Sequence, residues 1–214
     1  MNTKKPKVQH EIVQFHNEIR RNVIPSASNM LLMTWCDEAA KTARRWANTC
    51  SIQHSIDENR TINGKICGEN LLMANYPDSW INSIQTWYDE VKHFDYGTGE
   101  TEPNVMVYHY TQLVWYKSYN IGCAVAYCPH KVYTYFYVCH YCPAGNIENV
   151  INMPYQAGKP CADCPDACDK GLCTNPCPYD DRAINCLKYK EFCYVNTEVW
   201  NTCQATCLCT TEIK

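Results

Sequence analysis

Two histidines and two glutamates are the residues whose types and positions could do chemistry in this chain. His54 lies in Ser51-Ile52-Gln53-His54-Ser55 and His109 in Tyr108-His109-Tyr110-Thr111-Gln112. Glu69 (Cys67-Gly68-Glu69-Asn70) and Glu90 (Tyr88-Asp89-Glu90) fall between them in sequence. Neutral imidazoles suit zinc, and carboxylates beside them orient the rings or act on a metal-bound water. Spacing alone does not bring the four together, and by spacing they read first as surface polar groups with one core histidine. Nucleophilic catalysis has less to work with: there is no Gly-x-Ser-x-Gly, and the cysteines read as bridged rather than as a thiolate.

The cysteines set the chemical environment. Seventeen in 214 residues is about 8%, close to the range of disulfide scaffolds made in an oxidising compartment. Cys139-His140-Tyr141-Cys142 and Cys161-Ala162-Asp163-Cys164 have zinc-knuckle spacing, but so many irregularly spaced neighbours favour disulfides. The start, Met1-Asn2-Thr3-Lys4-Lys5, lacks the apolar stretch of a signal peptide, so the expectation is a mature secreted form with its signal removed. Asn59-Arg60-Thr61 is a glycosylation sequon suited to that route. A net charge of −3 offers no basic excess for nucleic acid, and no apolar run is long enough to cross a membrane.

The elements that must position these residues follow from periodicity. Val8, Ile12, Phe15, Ile19 and Val23 recur at helical spacing. Thr34 reads as the N-cap of a second helix, with Asp37 in its first turn and Trp35, Ala39, Trp46 and Cys50 on one face. Asp78 reads as the cap of a third, carrying Trp80, Ile84, Trp87 and Val91. Asn120–Tyr127 and Val132–Tyr141 are rich in Val and Tyr, the latter apolar or aromatic on both faces, as a central strand covered on both sides requires. Helices flanking such a sheet give a three-layer sandwich. Seven cysteines precede residue 160 and ten crowd between Cys161 and Cys209, with turn-rich sequence between the two groups. The end of the chain has few large aliphatic residues, and its stability must come from disulfides.

Two strings add a resemblance. His109-Tyr110-Thr111-Gln112-Leu113-Val114-Trp115-Tyr116-Lys117-Ser118 matches the first signature of the CAP superfamily, and Phe136 through Ile147 matches the second. With Cys161-Ala162-Asp163-Cys164-Pro165 and Gly171-Leu172-Cys173-Thr174-Asn175-Pro176-Cys177 following, the chain resembles the cysteine-rich secretory proteins over nearly its whole length. The ending Ala205–Lys214 looks most like the mammalian epididymal members; reptile venom members share the architecture. The resemblance implies an α+β fold: an α-β-α three-layer CAP domain (1–145), a linker (146–160), a disulfide hinge (161–176) and a short-helix, toxin-like (ShKT) channel-regulatory domain (177–214). The implied bridges are Cys50–Cys128, Cys67–Cys142, Cys123–Cys139, Cys161–Cys168, Cys164–Cys173, Cys177–Cys209, Cys186–Cys203 and Cys193–Cys207. Cys36 is left over, expected in the first turn of the second helix beside Ala40, Ala43 and Ala47, buried and inert; a covalent dimer through it is the alternative to a monomer. Tyr108 departs from the family, which usually has glycine there.

The same resemblance implies that His54, Glu69, Glu90 and His109 share a central cleft. The two histidines would hold zinc at moderate affinity, with Glu69 and Glu90 behind them and no organic cofactor. The implied function is that of a secreted non-enzymatic protein. It would associate with sperm, modulate cation channels of calcium or TRP type, and contribute to sperm maturation and sperm–egg interaction. Its partners would be membrane channels and cell-surface proteins. Egg binding would fall to Phe136–Ile147 and channel contact to the cysteine-rich end, where Lys188 and Tyr189 form the lysine–aromatic pair. A zinc-dependent hydrolase or protease, a sterol or lipid carrier and a venom channel inhibitor are the competing expectations.

Overall fold

The computed structural model describes residues 1–183 and 185–214. The helices are α1 (Pro6–Arg21), α2 (Asp37–Ala47), α3 (Trp80–Tyr88), α4 (Tyr108–Leu113), α5 (Thr197–Thr202) and α6 (Gln204–Leu208). The strands are β1 (Thr34–Trp35), β2 (Thr61–Ile62), β3 (Lys65–Ile66), β4 (Gly68–Ala74), β5 (Phe94–Asp95), β6 (Gly99–Glu100), β7 (Asn120–Tyr127), β8 (Tyr135–Cys142), β9 (Cys168–Asp169) and β10 (Leu172–Cys173). One four-stranded sheet, in the order β1-β7-β8-β4, carries the architecture; only β1 and β7 run parallel. The other strands form two-residue hairpins.

Strand β8 is central, and its alternation explains why it is apolar on both faces. Phe136 and Val138 point to one side and pack with Ala43, Ala47, Leu71, Ala124 and Ala126 beneath α2. Tyr137, Cys139 and Tyr141 point to the other and join Ile12, Ile19, Ile84, Trp87, Tyr110 and Leu113 from α1, α3 and α4. The result is an α-β-α sandwich. Helix α2 sits unusually close to β7, because a Cβ on Gly122 would collide with the backbone of Ala39 and Ala40.

Two expected caps are displaced by one or more residues. Thr34 does not cap α2: its N–H donates to the Tyr119 carbonyl, and the β1–β7 ladder claims Thr34 and Trp35 as strand. Cys36 occupies the N-cap instead, with no side-chain cap bond, and is half-buried rather than enclosed in the helix's first turn. Asp37 and Glu38 in that turn favour the helix N-terminus electrostatically. In α3 the cap is Ser79, whose Oγ accepts from the Asn82 N–H at 3.1 Å, while Asp78 Oδ1 takes the Asn82 side chain at 2.8 Å. The strand expected from Val132 begins at Tyr135, because residues 129–134 are spent on the turn closed by Cys128 N–H to Thr134 O.

The segment 146–160, expected as a linker, lies strapped to the first domain. Tyr155 is 2% exposed within the main core. The Pro154 carbonyl accepts from Tyr116 N–H, Gln156 O from Ser28 N–H, and Gly158 N–H donates to Ser26 O. The hinge docks as well: Leu172 is fully buried in the same core, and the Cys173 backbone pairs with Met30 and Leu32. Further along, Asp180 reaches Lys65 at 2.7 Å and Lys117 at 3.3 Å, and Tyr116 OH donates to the Lys214 carbonyl at 2.6 Å. Eight disulfides complete the frame: 50–128, 67–142, 123–139, 161–168, 164–173, 177–209, 186–203 and 193–207. Limited proteolysis of the folded chain should therefore spare residues 153–158, and Tyr155→Ala should lower stability by about 3 kcal/mol in denaturant titration. Rapid cleavage inside 153–158 with release of two compact fragments would show a free linker instead.

Candidate functional site

Strand β4 is an edge of the sheet, and Glu69 stands on it directly opposite His140 of β8. His140 is fully buried, and its Nε2 lies 2.9 Å from Glu69 Oε2. On the other side His140 Nδ1 lies 2.8 Å from Thr42 Oγ1 of α2. Glu69 also accepts from the Ser55 N–H (2.9 Å) and Ser55 Oγ (2.8 Å), and its Oε1 lies 2.8 Å from His54 Nδ1. Arg60 holds this loop by donating to the carbonyls of Ser55 and Cys67. Burial alone would raise the Glu69 pKa; the bonds from His140, His54 and Ser55 outweigh it and hold the carboxyl well below its ordinary value. Burial pushes His140 down; its Nε2 donates to the Glu69 carboxylate, and its Nδ1 lies against the Thr42 hydroxyl, which also reaches the Ala39 carbonyl at 2.9 Å.

The second pair is built on α4. Glu90 Oε1 lies 2.6 Å from His109 Nδ1, while its Oε2 accepts from the N–H groups of His109 (2.9 Å) and Tyr110 (3.1 Å) in the first turn of α4. The His109 ring stacks on Trp87, centroids 6.3 Å apart and 15° from parallel. The two pairs are neighbours through β4: Asn70, next to Glu69, donates to the His109 carbonyl at 3.1 Å. The structure thus holds His54, Glu69, Glu90 and His109 as two histidine–carboxylate dyads. Among the described residues neither histidine joins a group of three ligand atoms within 4.8 Å. A carboxylate only accepts, so each histidine must donate from Nδ1, which leaves Nε2 as a lone pair on the neutral ring. Each dyad therefore presents one imidazole nitrogen of the kind zinc takes, on a ring oriented by Glu69 or Glu90.

The first signature string holds the second in place. Gln112 accepts from the Gly145 N–H at 3.0 Å and donates to Ser118 Oγ, which donates to the Pro143 carbonyl at 2.7 Å. Thr111 and the Tyr108 carbonyl both bond Asn146. Tyr108 itself is exposed, its hydroxyl donating to Glu100 at 2.8 Å. Asn59 lies half-buried in the helical turn Asp57–Arg60. Lys188 and Tyr189 are both exposed on the 3-10 segment Cys186–Phe192. Sequence reasoning missed His140, which the β4–β8 register brings to Glu69 and for which local sequence offers no signal.

The profile described as "CAP: Cysteine-rich secretory protein family" matches residues 13–141, and one described as "Crisp" matches residues 161–214. The chain is 53% identical over 208 residues to human "Cysteine-rich secretory protein 2", covering 96% of this chain and 85% of that one. It belongs to the cysteine-rich secretory protein family. It is also 51% identical over 213 residues to "Cysteine-rich venom protein helothermine" of Heloderma horridum horridum, covering 99% of this chain and 88% of the relative. Among solved structures, Na-ASP-1 superposes with a TM-score of 0.66 at 32% identity, over 78% of this chain and 47% of its own. The structure of NaASP2 with Zn2+ gives a TM-score of 0.64 at 29% identity, over 81% of this chain and 98% of its own. A cysteine-rich secretory protein so built should lose stability when Glu69 is replaced. Glu69→Gln is expected to cost about 2 kcal/mol at neutral pH, since one oxygen becomes a donor facing other donors. Because the folded carboxyl titrates below its unfolded value, this difference should persist above about pH 5 and shrink as pH falls below ~4.3. Urea denaturation of both proteins across that range checks it, and a gap that widens in acid would contradict the assignment.

Proposed function

We propose that this protein is a secreted, non-enzymatic binding protein whose cysteine-rich end engages a membrane cation channel. The carrying observation is the set of apolar side chains left outside that end. Leu187, Tyr194 and Val195 are 74–81% exposed, and Tyr189 and Phe192 are exposed beside them. The Cys186–Cys203 and Cys193–Cys207 bridges bracket Leu187, Tyr189 and Phe192 and anchor the chain just before Tyr194 and Val195, so the surface is ordered before it meets a partner. Residues 177–214 carry four basic against five acidic side chains, a poor balance for plugging a cation pore and a better one for binding beside it and altering gating. Association with sperm, and a part in maturation and egg recognition, rest on the epididymal likeness of Ala205–Lys214. The relatives at 53% and 51% identity, one human and one from a lizard, stand nearly level, so identity does not choose between reproductive and venom settings.

The dyads support a second element, zinc held by His54 and His109. When bound there, zinc would supply a Lewis-acidic, water-bearing centre. Glu69 is unsuited to act on that water as a base, because both its oxygens already accept bonds from His140, His54 and Ser55. The residues hold and orient a metal; the arrangement favours binding over hydrolysis.

Whole-cell recording of sperm cation currents with the full chain tests the first proposal. Tyr189→Ala and Phe192→Ala should each weaken inhibition about tenfold, and Lys188→Ala by less than about twofold. Strongly voltage-dependent block abolished by Lys188→Ala would overturn the gating reading. Equilibrium dialysis tests the second: the His54→Ala/His109→Ala pair should abolish zinc uptake. Equal uptake by the variant would remove the site.

A further inference from the structure

The four hinge cysteines stand close enough for more than one pairing. Cys161 is bonded to Cys168 and Cys164 to Cys173, with Cα separations of 5.8 and 5.7 Å. Yet the sulfurs of Cys161, Cys164 and Cys173 all lie within 4.8 Å of one another. Every one of them is committed to a bridge, so the cluster is not a metal site; it is one half of the first disulfide set against both halves of the second.

Two backbone features bring the alternative partners within reach. The Cys164 N–H donates to the Cys161 carbonyl at 3.1 Å, a tight turn that keeps the two Cα atoms within disulfide span. Cys168 and Cys173 are direct register partners across the β9–β10 hairpin. That geometry is already bridged elsewhere in this molecule, where Cys123 and Cys139 are register partners on β7 and β8. Access is one-sided, since Cys161, Cys164 and Cys173 are buried and Cys168 is exposed. Cys161 also holds a left-handed backbone, φ 61°, which a non-glycine residue adopts at a cost.

From the convergence of the Cys161, Cys164 and Cys173 sulfurs beneath exposed Cys168, we propose that the hinge is a thiol–disulfide exchange centre. A low-molecular-weight thiol enters at Cys168, and the pairing isomerises to Cys161–Cys164 plus Cys168–Cys173. The external thiolate attacks Cys168 Sγ, breaks its bond to Cys161 and expels Cys161 as a thiolate. Cys161 attacks Cys164 Sγ and expels Cys173. Cys173 then attacks Cys168 Sγ and displaces the external thiol. Two protein disulfides break and two form, with no net oxidation, and the thiol is regenerated. The Cys173 backbone bonds to Met30 and Leu32 are untouched by these steps, so the hinge re-pairs while docked.

Peptide mapping of the intact folded chain tests this. The protein is incubated in a glutathione redox buffer at pH 8, quenched by alkylation, and digested with a protease that cuts before aspartate. Cuts before Asp163, Asp166 and Asp169 place Cys161, Cys164 and Cys168 on separate peptides. The expected result is a peptide joining Cys161 to Asp163-Cys164-Pro165, rising from absent to about a tenth of the hinge or more, while the six bridges outside the hinge stay intact. Native pairing alone, a mixed disulfide that stops at Cys168, or scrambling that spreads equally to the other bridges would each overturn the proposal.

Discussion

A single buried cation, Arg20, sits where the parts of this molecule meet. Its guanidinium is 1% exposed and has no carboxylate partner among the described residues. Instead it donates to the carbonyls of Leu31, Leu113, Trp115 and Tyr116, at 2.8–3.1 Å. Burial lowers its pKa to about 9, which leaves it charged at neutral pH. Leu113 ends α4, where helix geometry leaves acceptors unsatisfied and the dipole favours a cation, and Trp115 and Tyr116 lie just beyond it. Leu31 forms an isolated bridge with Cys173 of the hinge, and Tyr116 holds Pro154 of the strap. One side chain therefore fixes α1 to the helix that carries His109 and to the stretch on which the hinge docks.

The dyads depend on the same economy of polar groups. A carboxylate as buried as Glu69 is tolerable only because donors surround it, and those donors come from two separate places: His140 of β8, and His54 and Ser55 of the 54–55 loop. His140 in turn is anchored to α2 through Thr42, so the orientation of His54 is transmitted from the layer beneath the sheet. Glu90 works differently, joining a ring and two helix N–H groups from the start of α4. Each histidine is thus positioned by an element it does not belong to.

That dependence explains how much could be read in the sequence. The helices α1 to α3, the two long strands and the layer order follow from periodicity, because Ile12, Ile84, Trp87 and the alternation of β8 carry it locally. The inward polar residues of α1 do not: His16, Asn17 and Arg20 interrupt its apolar face, yet all three are buried. Asn17 serves by imitating a strand, accepting from Met33 N–H and donating to Met33 O at 2.8 and 2.9 Å. Such roles require knowing which carbonyls lie opposite, which is tertiary information. Thr34 misled for a related reason, since a residue chemically suited to cap a helix was instead consumed by a ladder formed with residues 120–121. His54, Glu69, Glu90 and His109 were legible only through the signature strings, while their division into two dyads came from the β4–β8 register and the placing of Glu90 under α4.

The docking of the hinge and of Asp180 alters what the two ends of the chain can do together. A flexible linker would let the exposed apolar segment of 186–195 sample many orientations relative to the dyads, and binding by both would then pay for ordering them. Here Tyr155 and Leu172 are core residues of the first domain, and Asp180 is held between Lys65 and Lys117. The lowered pKa of Asp180, whose burial is outweighed by those two lysines, keeps this contact charged through the physiological range. Orientation is therefore fixed before any partner arrives. Disulfides supply rigidity within the cysteine-rich end, where too few aliphatic side chains exist to make a core. Apolar burial and ion pairing supply it between the end and the first domain, where no disulfide crosses among the described residues. The division follows from composition: covalent bonds serve where burial cannot, and burial serves where two larger surfaces meet.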